Sequence, residues 1–118
     1  MHQYDEFVEI LKAKNDAMEA RQWLALVGAK YGVIHEMDRQ ESEDVVEECY
    51  RRGAMKVEVL GQLPKDASES SVDMLLITLP PQRLLREELF QLEEVIAEET
   101  GFEGSIDEGQ QYLLLRWT

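Results

Sequence analysis

DMLLITLPPQRLLREELFQLEEVIAEETG, residues 73–101, decides how this chain is built. Its first part, residues 73–79, is apolar at nearly every position, so neither face suits water and an interior strand is predicted. Pro80 and Pro81 end that strand, because proline brings no N–H to a ladder. From Arg83 to Thr100 the period changes to that of a helix. Leu85, Leu89, Leu92 and Ile96 form the apolar stripe, Phe90 and Val95 widen it, and Glu87, Glu88, Glu93, Glu94, Glu98 and Glu99 occupy the remainder. Gly101 stops the helix. After a loop, YLLLRW at residues 112–117 is again apolar on both faces and reads as a final strand.

Upstream of this unit, KVEVL at residues 56–60 alternates polar and apolar, as a half-buried strand does. Residues 61–71, with glycine, proline and serines, read as a long mobile loop. Ser42 is placed as an N-cap, with Glu43 and Asp44 in the first turn where negative charge suits the helix dipole. Val45, Val46, Cys49 and Tyr50 make the inner stripe of that helix, and Arg51, Arg52 and Gly53 supply its C-terminal signals. VIHEM at residues 33–37 is too short for a helix and is either a strand or a connection. Residues 3–31 are expected to be helical, with Tyr4, Phe7, Val8, Leu11, Met18 and Ala25 near helical spacing and a break offered at Asn15 and Asp16. Within them WLALV, residues 23–27, is apolar on every side and needs deep burial.

The expected fold is therefore α+β: a small mixed sheet of three or four strands packed by helices. Residues 1–118 form a single domain, with residues 1–32 as a helical extension and 33–118 as the sheet-and-helix core. With a strand at 33–37 the core order is βαββαβ, loosely ferredoxin-like. Without it three strands remain, and the last two flank a right-handed parallel crossover. Two strands apolar on both faces need a second cover, which the N-terminal helices supply; the other candidate is a second copy, in a homodimer.

The 118 residues carry 25 acids against 12 bases, a net charge of −13, which opposes binding to nucleic-acid phosphates. One cysteine excludes an internal disulfide. Asp5, Glu6 and Glu9 stand where a signal peptide would need bases, and no apolar run nears the roughly 20 residues that span a bilayer, so a soluble, cytoplasmic protein without membrane contact is expected.

Chemical motifs are sparse. His35 to Arg39 opens like a zinc-protease signature, but Arg39 stands where the second histidine must be, and His2 is the only other histidine. Glu103, Asp107, Glu108 and Gly109 miss the spacing of a calcium loop. Cys49, between Glu48 and Arg51 on an inner stripe, is set against thiolate formation. Ser68, Ser70 and Ser71 have no histidine beside them, and no phosphate-cradling glycine loop occurs. Glu58 on a strand and Asp73 at a strand start are the carboxylates off the outer helix faces. No catalytic residue, metal or cofactor is assigned.

What remains is charge. Residues 36–48 hold seven acids and one base, and residues 87–108 nine acids and no base. Like charges spaced four apart cost a helix a few tenths of a kcal/mol per pair, so something apolar or basic must hold such a helix. The functional expectation is a non-enzymatic interaction or regulatory module that binds a basic protein partner through Asp44, Glu47, Glu48, Glu87, Glu88, Glu94 and Glu98. The simpler account of the same charge is solubility. The alternative class is a small-molecule-binding protein or enzyme with an aromatic pocket between the N-terminal helices and the sheet. Trp23, Tyr31, His35, Tyr50, Tyr112 and Trp117 are its candidate lining, which serves equally as core.

Overall fold

The computed structural model describes residues 2–61 and 70–117, apart from the side chains of residues 27–33, 61, 70 and 71. Along them run α1 (Gln3–Lys14), β1 (Asp16–Glu19), α2 (Ala20–Tyr31), β2 (Gly32–Ile34), α3 (Arg39–Arg51), β3 (Lys56–Gly61), β4 (Ser70–Val72), β5 (Met74–Thr78), α4 (Arg83–Thr100) and β6 (Tyr112–Arg116). The fold is α+β. Its main sheet has the order β1-β3-β5-β6 with every neighbouring pair antiparallel, and β2 and β4 pair separately as a short parallel ribbon.

Pleating sorts the side chains into two cores. Val57, Val59, Leu75, Ile77, Leu113 and Leu115 are fully buried on one face, under Trp23 and Leu24 of α2, Val46 and Cys49 of α3, and Leu89 and Ile96 of α4. Leu60, Leu76, Tyr112 and Leu114 form the other core with Val8 of α1, and Tyr4 and Leu11 pack against it. The expected second cover is thus α1 alone. Of the WLALV turn, expected to be buried throughout, only Trp23 and Leu24 enter the larger core: Ala25 and Leu26 are exposed on the outer side of α2, and the Val27 side chain lies outside the described residues. A helix of 12 residues is about 18 Å long, enough to cross three strand spacings of about 4.8 Å. Accordingly α1 meets β6 at its first turn and hands the chain to β1, at the far edge, through Asn15.

Several expectations are corrected. The main sheet is antiparallel rather than mixed, and its strand order follows the chain instead of interleaving as in a ferredoxin-like sheet. The β5–α4–β6 unit is not a parallel crossover, because β5 and β6 pair antiparallel, from Met74 opposite Arg116 to Thr78 opposite Tyr112. The 18 residues of α4 carry the chain about 27 Å down, and residues 101–111 bring it back, within the roughly 36 Å that such a segment can span. The helical segment expected over residues 3–31 contains β1, an integral edge strand. Residues 33–37 are a strand only as far as Ile34. The loop expected over 61–71 lies outside the described residues at 62–69, and residues 70 and 71 belong to β4.

Helix α3 starts four residues before Ser42, at an Asp38 N-cap whose carboxylate accepts the Glu41 N–H. Ser42 is instead buried, its hydroxyl accepting the Ile34 N–H at 2.8 Å and donating to the Asp38 carbonyl at 2.9 Å. The expected ends are otherwise found: Gly53 and Gly101 adopt the left-handed conformation after α3 and α4, at φ 105° and 82°.

Candidate functional site

Acidic charge on α3 is largely answered within the fold. The Arg21 guanidinium donates two hydrogen bonds of 2.8 Å to the Glu47 carboxylate while lying 4.0 Å from the Tyr50 ring centroid, and this pair holds Glu47 below its ordinary range. Glu48 accepts from Arg52 at 2.7 Å and also pairs with Arg51, and Arg52 reaches on to the Glu88 carbonyl at 2.8 Å, tying α3 to α4. Glu43 is paired with Arg39. Asp44 accepts a hydrogen bond from the Gln40 amide at 2.9 Å. At the start of α4, Glu87 pairs with Arg83 at 3.1 Å.

The second half of α4 differs. No cation pairs with Glu88, Glu94, Glu98 or Glu99 among the described residues, and the last turn holds no basic side chain. Glu98 and Glu99 therefore sit uncompensated at the negative end of the helix dipole. Between them and Glu94 lies Val95, 54% exposed although the sequence placed it at the margin of the buried stripe.

Residues 101–111 are fixed beside this acidic end by buried and half-buried polar groups. Glu93, expected on the outer face, is 6% exposed, and its carboxylate accepts the Ser105 N–H through both oxygens at 2.8 and 3.1 Å. Gly104 lies so close to α4 that a Cβ there would stand 3.2 Å from the Glu93 carboxylate, so only glycine fits without displacement. On the other side of Ile106, Arg86 grips the Asp107 carboxylate with bonds of 3.0 and 2.7 Å and also donates to the Pro80 and Gln110 carbonyls. That pairing holds Asp107 below its ordinary range. Buried Gln110 closes the turn by accepting the Glu108 N–H and donating to the Ile106 carbonyl. A loop anchored at residues 105 and 107 thus presents the side chain between them. Ile106 is 76% exposed and shares a shallow depression with Glu94, Glu98, Gly104 and Ser105.

The sequence-predicted aromatic lining is divided. Trp23 and Trp117 are buried in the larger core and Tyr50 packs against it, whereas Tyr112 belongs to the core on the opposite face of the sheet. The sheet therefore separates Tyr112 from Trp23, Tyr50 and Trp117, and the Tyr31 side chain is outside the described residues. Tyr50 is spent on structure, donating to Glu19 at 2.7 Å and accepting the Val57 N–H at 3.1 Å. His35 and Asp73 are brought together, Nδ1 to Oδ1 at 3.0 Å, with His35 at a left-handed φ of 51° beside the β2–β4 ribbon. Glu58 is buried in β3, 3.7 Å from both Lys12 and Lys56.

Burial pushes the Cys49 thiol up to about 12, which keeps it protonated and unreactive at neutral pH. Among the described residues no group of His, Cys, Asp and Glu is arranged to hold a metal ion, and no helix is long and apolar enough to cross a membrane. The loop-anchoring role of Glu93 and Arg86 escaped the sequence reading, and Gly104 was its available signal. No protein-family model, curated protein or solved structure matches this chain.

Proposed function

We propose that the chain is a non-enzymatic interaction module, and that the C-terminal half of α4 with residues 104–106 receives a basic segment of a protein partner. The observation that carries this reading is Ile106, an apolar side chain held in water by a doubly anchored loop beside carboxylates that, among the described residues, no cation pairs with. Single exposed apolar side chains occur elsewhere on this surface, Leu26 and Leu84 among them, so what supports the reading is the anchoring of the loop that presents Ile106 beside the carboxylates, not exposure by itself. An apolar centre with a charged rim is the usual anatomy of a protein-docking patch, in which the rim steers the encounter and the centre holds the partner. Of the residues first expected to bind, Glu88, Glu94 and Glu98 stay in the proposal. Asp44, Glu47, Glu48 and Glu87 have partners inside the fold.

The test is a titration of isotopically labelled protein with Lys/Arg-rich peptides, each bearing one Leu or Phe. Shifts centred on Val95, Glu98, Ser105 and Ile106 that fade with added salt support the reading. Shifts centred on α3, or binding unchanged in a Glu94→Gln/Glu98→Gln/Ile106→Ser variant, would sink it.

A further inference from the structure

The loop that presents Ile106 is held by a second element besides α4. His2 caps α1 by accepting the Tyr4 N–H on Nδ1 at 3.1 Å, so its proton sits on Nε2 and is donated to Glu108 at 3.0 Å. The Tyr4 hydroxyl accepts the Leu114 N–H at 2.8 Å and interacts with the Ser105 side chain. The buried Asp5 carboxylate accepts the Gln111 N–H through both oxygens, at 2.9 and 3.0 Å, and the Tyr112 N–H at 3.2 Å. Residues 105, 108 and 111 are thus tied to the first turn of α1, while residues 105 and 107 are tied to α4. Ile106 stands among these ties.

We propose that this first turn regulates the docking patch: Tyr4 and Asp5 are positioning residues for Ile106, and opening of the turn weakens the hold on a basic partner. The inference rests on the docking reading given above. Neither residue lines the depression formed by Glu94, Glu98, Gly104, Ser105 and Ile106, so both act through the loop. The movable part is the turn and not the whole helix. Further along α1, Val8 is fully buried and Leu11 packs against the smaller core, which keeps the helix body in place. Among the described residues, the ties to the loop all fall within residues 2–5. A helix start lacks the hydrogen-bond partners of the interior, so local opening costs least there. When the turn opens, the Ser105 side chain loses Tyr4 and the Gln111 N–H loses its acceptor. The coupling is reciprocal: a partner that needs Ile106 held in place must itself favour the closed turn.

The test follows amide exchange and affinity with a Lys/Arg-rich peptide bearing one Leu. In the wild type the peptide is expected to slow exchange of the Gln111 and Leu114 amides, which α1 holds outside the patch. The Val57 amide, held by the Tyr50 hydroxyl at the larger core, is expected to keep its rate. Tyr4→Phe deletes only the hydroxyl. It is expected to speed Ser105 exchange and to weaken the peptide about fivefold or more, an ordinary size for coupling between sites. Val46→Ala opens a gap in the core at α3 instead, and is expected to lower stability while leaving the affinity as it was. Wild-type affinity in Tyr4→Phe overturns the proposal, as does equal weakening in Val46→Ala. Equal slowing of the Val57 amide also overturns it, because that marks general stabilisation by the ligand. A peptide that shifts no signal near Ile106 in the wild type sinks the docking reading itself, and this inference with it. If Tyr4→Phe does not fold, the wild-type comparison of Gln111 and Leu114 with Val57 decides alone.

Discussion

The Glu93 carboxylate spans the Ser105 N–H with both oxygens, from a buried position on α4 to the loop that carries Ile106. A carboxylate on a helix face is ordinarily a solubility device; here it is a bracket. Glu93→Ala is therefore expected to cost about 1.5–3 kcal/mol, the usual range for a hydrogen bond to a charged group. The Ser105 amide is expected to exchange faster, and Lys/Arg-rich peptides to bind more weakly, although Glu93 itself is shielded from them. Chemical denaturation and amide exchange check the two halves separately. An unaltered Ser105 exchange rate would mean the loop is held by Arg86 alone.

The two acidic helices are expected to respond in opposite ways to neutralisation. In α4, Glu94 and Glu98 lie one turn apart near the negative helix end, so Glu94→Gln/Glu98→Gln relieves repulsion and stabilises by a few tenths of a kcal/mol while abolishing salt-sensitive peptide binding. In α3, Glu47→Gln/Glu48→Gln removes the partners of Arg21, Arg51 and Arg52. These pairs are exposed or half-exposed and screened by solvent, so only a small loss of stability is expected, with peptide binding retained. Thermal melts and the peptide titration, run on both variants, decide the matter. Equal loss of binding in both would mean the charge acts as a diffuse field rather than as a site.

How far this architecture is legible in the sequence follows from the range of the forces involved. Helix α4, the end of α3 and the strand β6 are specified by neighbours a few positions apart, through apolar period, glycine stops and proline breaks, and these appear where expected. Strand β1 is not legible: DAME has no alternation, and it is extended because β3 offers it an edge. Ser42 suits an N-cap by local chemistry, but Asp38 competes for that role from one turn earlier, and the Ile34 N–H claims the hydroxyl. The acidic surface was legible as a count and illegible as a pattern. Arg21 with Glu47 and Arg86 with Asp107 are matched across more than 20 positions, and the Asp5 contact to β6 across more than 100. Such pairings depend on the tertiary path, which no spacing rule supplies.

Stability is expected to fall on both sides of a plateau in pH. Burial raises Cys49 from 9.0 to about 12, and it raises Tyr4, Tyr50 and Tyr112 above 10.0, with hydrogen bonds to Glu19 and Glu9 adding for the last two. The unfolded chain releases these protons at lower pH than the folded one, so their contribution is full below about 9 and is lost as pH rises toward 12. On the acid side Glu47 and Asp107 are lowered by Arg21 and Arg86. Burial pushes Glu19 up, but the Tyr50 hydroxyl and the first N–H groups of α2 outweigh it, leaving Glu19 below its ordinary value. Their contribution is present above 4.5 for the glutamates and 3.8 for the aspartate, and is lost as pH falls through the folded values. Melting temperature against pH should show both arms, and Cys49→Ala should flatten the alkaline one between 9 and 12. An alkaline arm of the same slope in that variant would assign it to the tyrosines alone.

Gly53 ends α3 with a φ of 105°, and its Cα faces Leu85 of α4 so closely that a Cβ would lie 2.9 Å from Leu85 Cδ1 and 3.1 Å from Leu85 Cβ. Two separate penalties fall on Gly53→Ala. The backbone must hold an L-residue in a conformation worth roughly 1–2 kcal/mol of strain. Leu85 must also retreat, and since its own Cβ is among the near atoms, a change of rotamer does not clear the space. The helix α4 would shift, and with it the α3–α4 tie from Arg52 to the Glu88 carbonyl. The expected loss is about 2–4 kcal/mol in denaturant unfolding, strain and overpacking together. Gly101, at φ 82° with open space around it, isolates the first penalty: Gly101→Ala should cost only about 1 kcal/mol or so. Equal costs at the two glycines would show that α4 yields freely to α3, and that the seam between them is not a rigid support for the acidic end of α4.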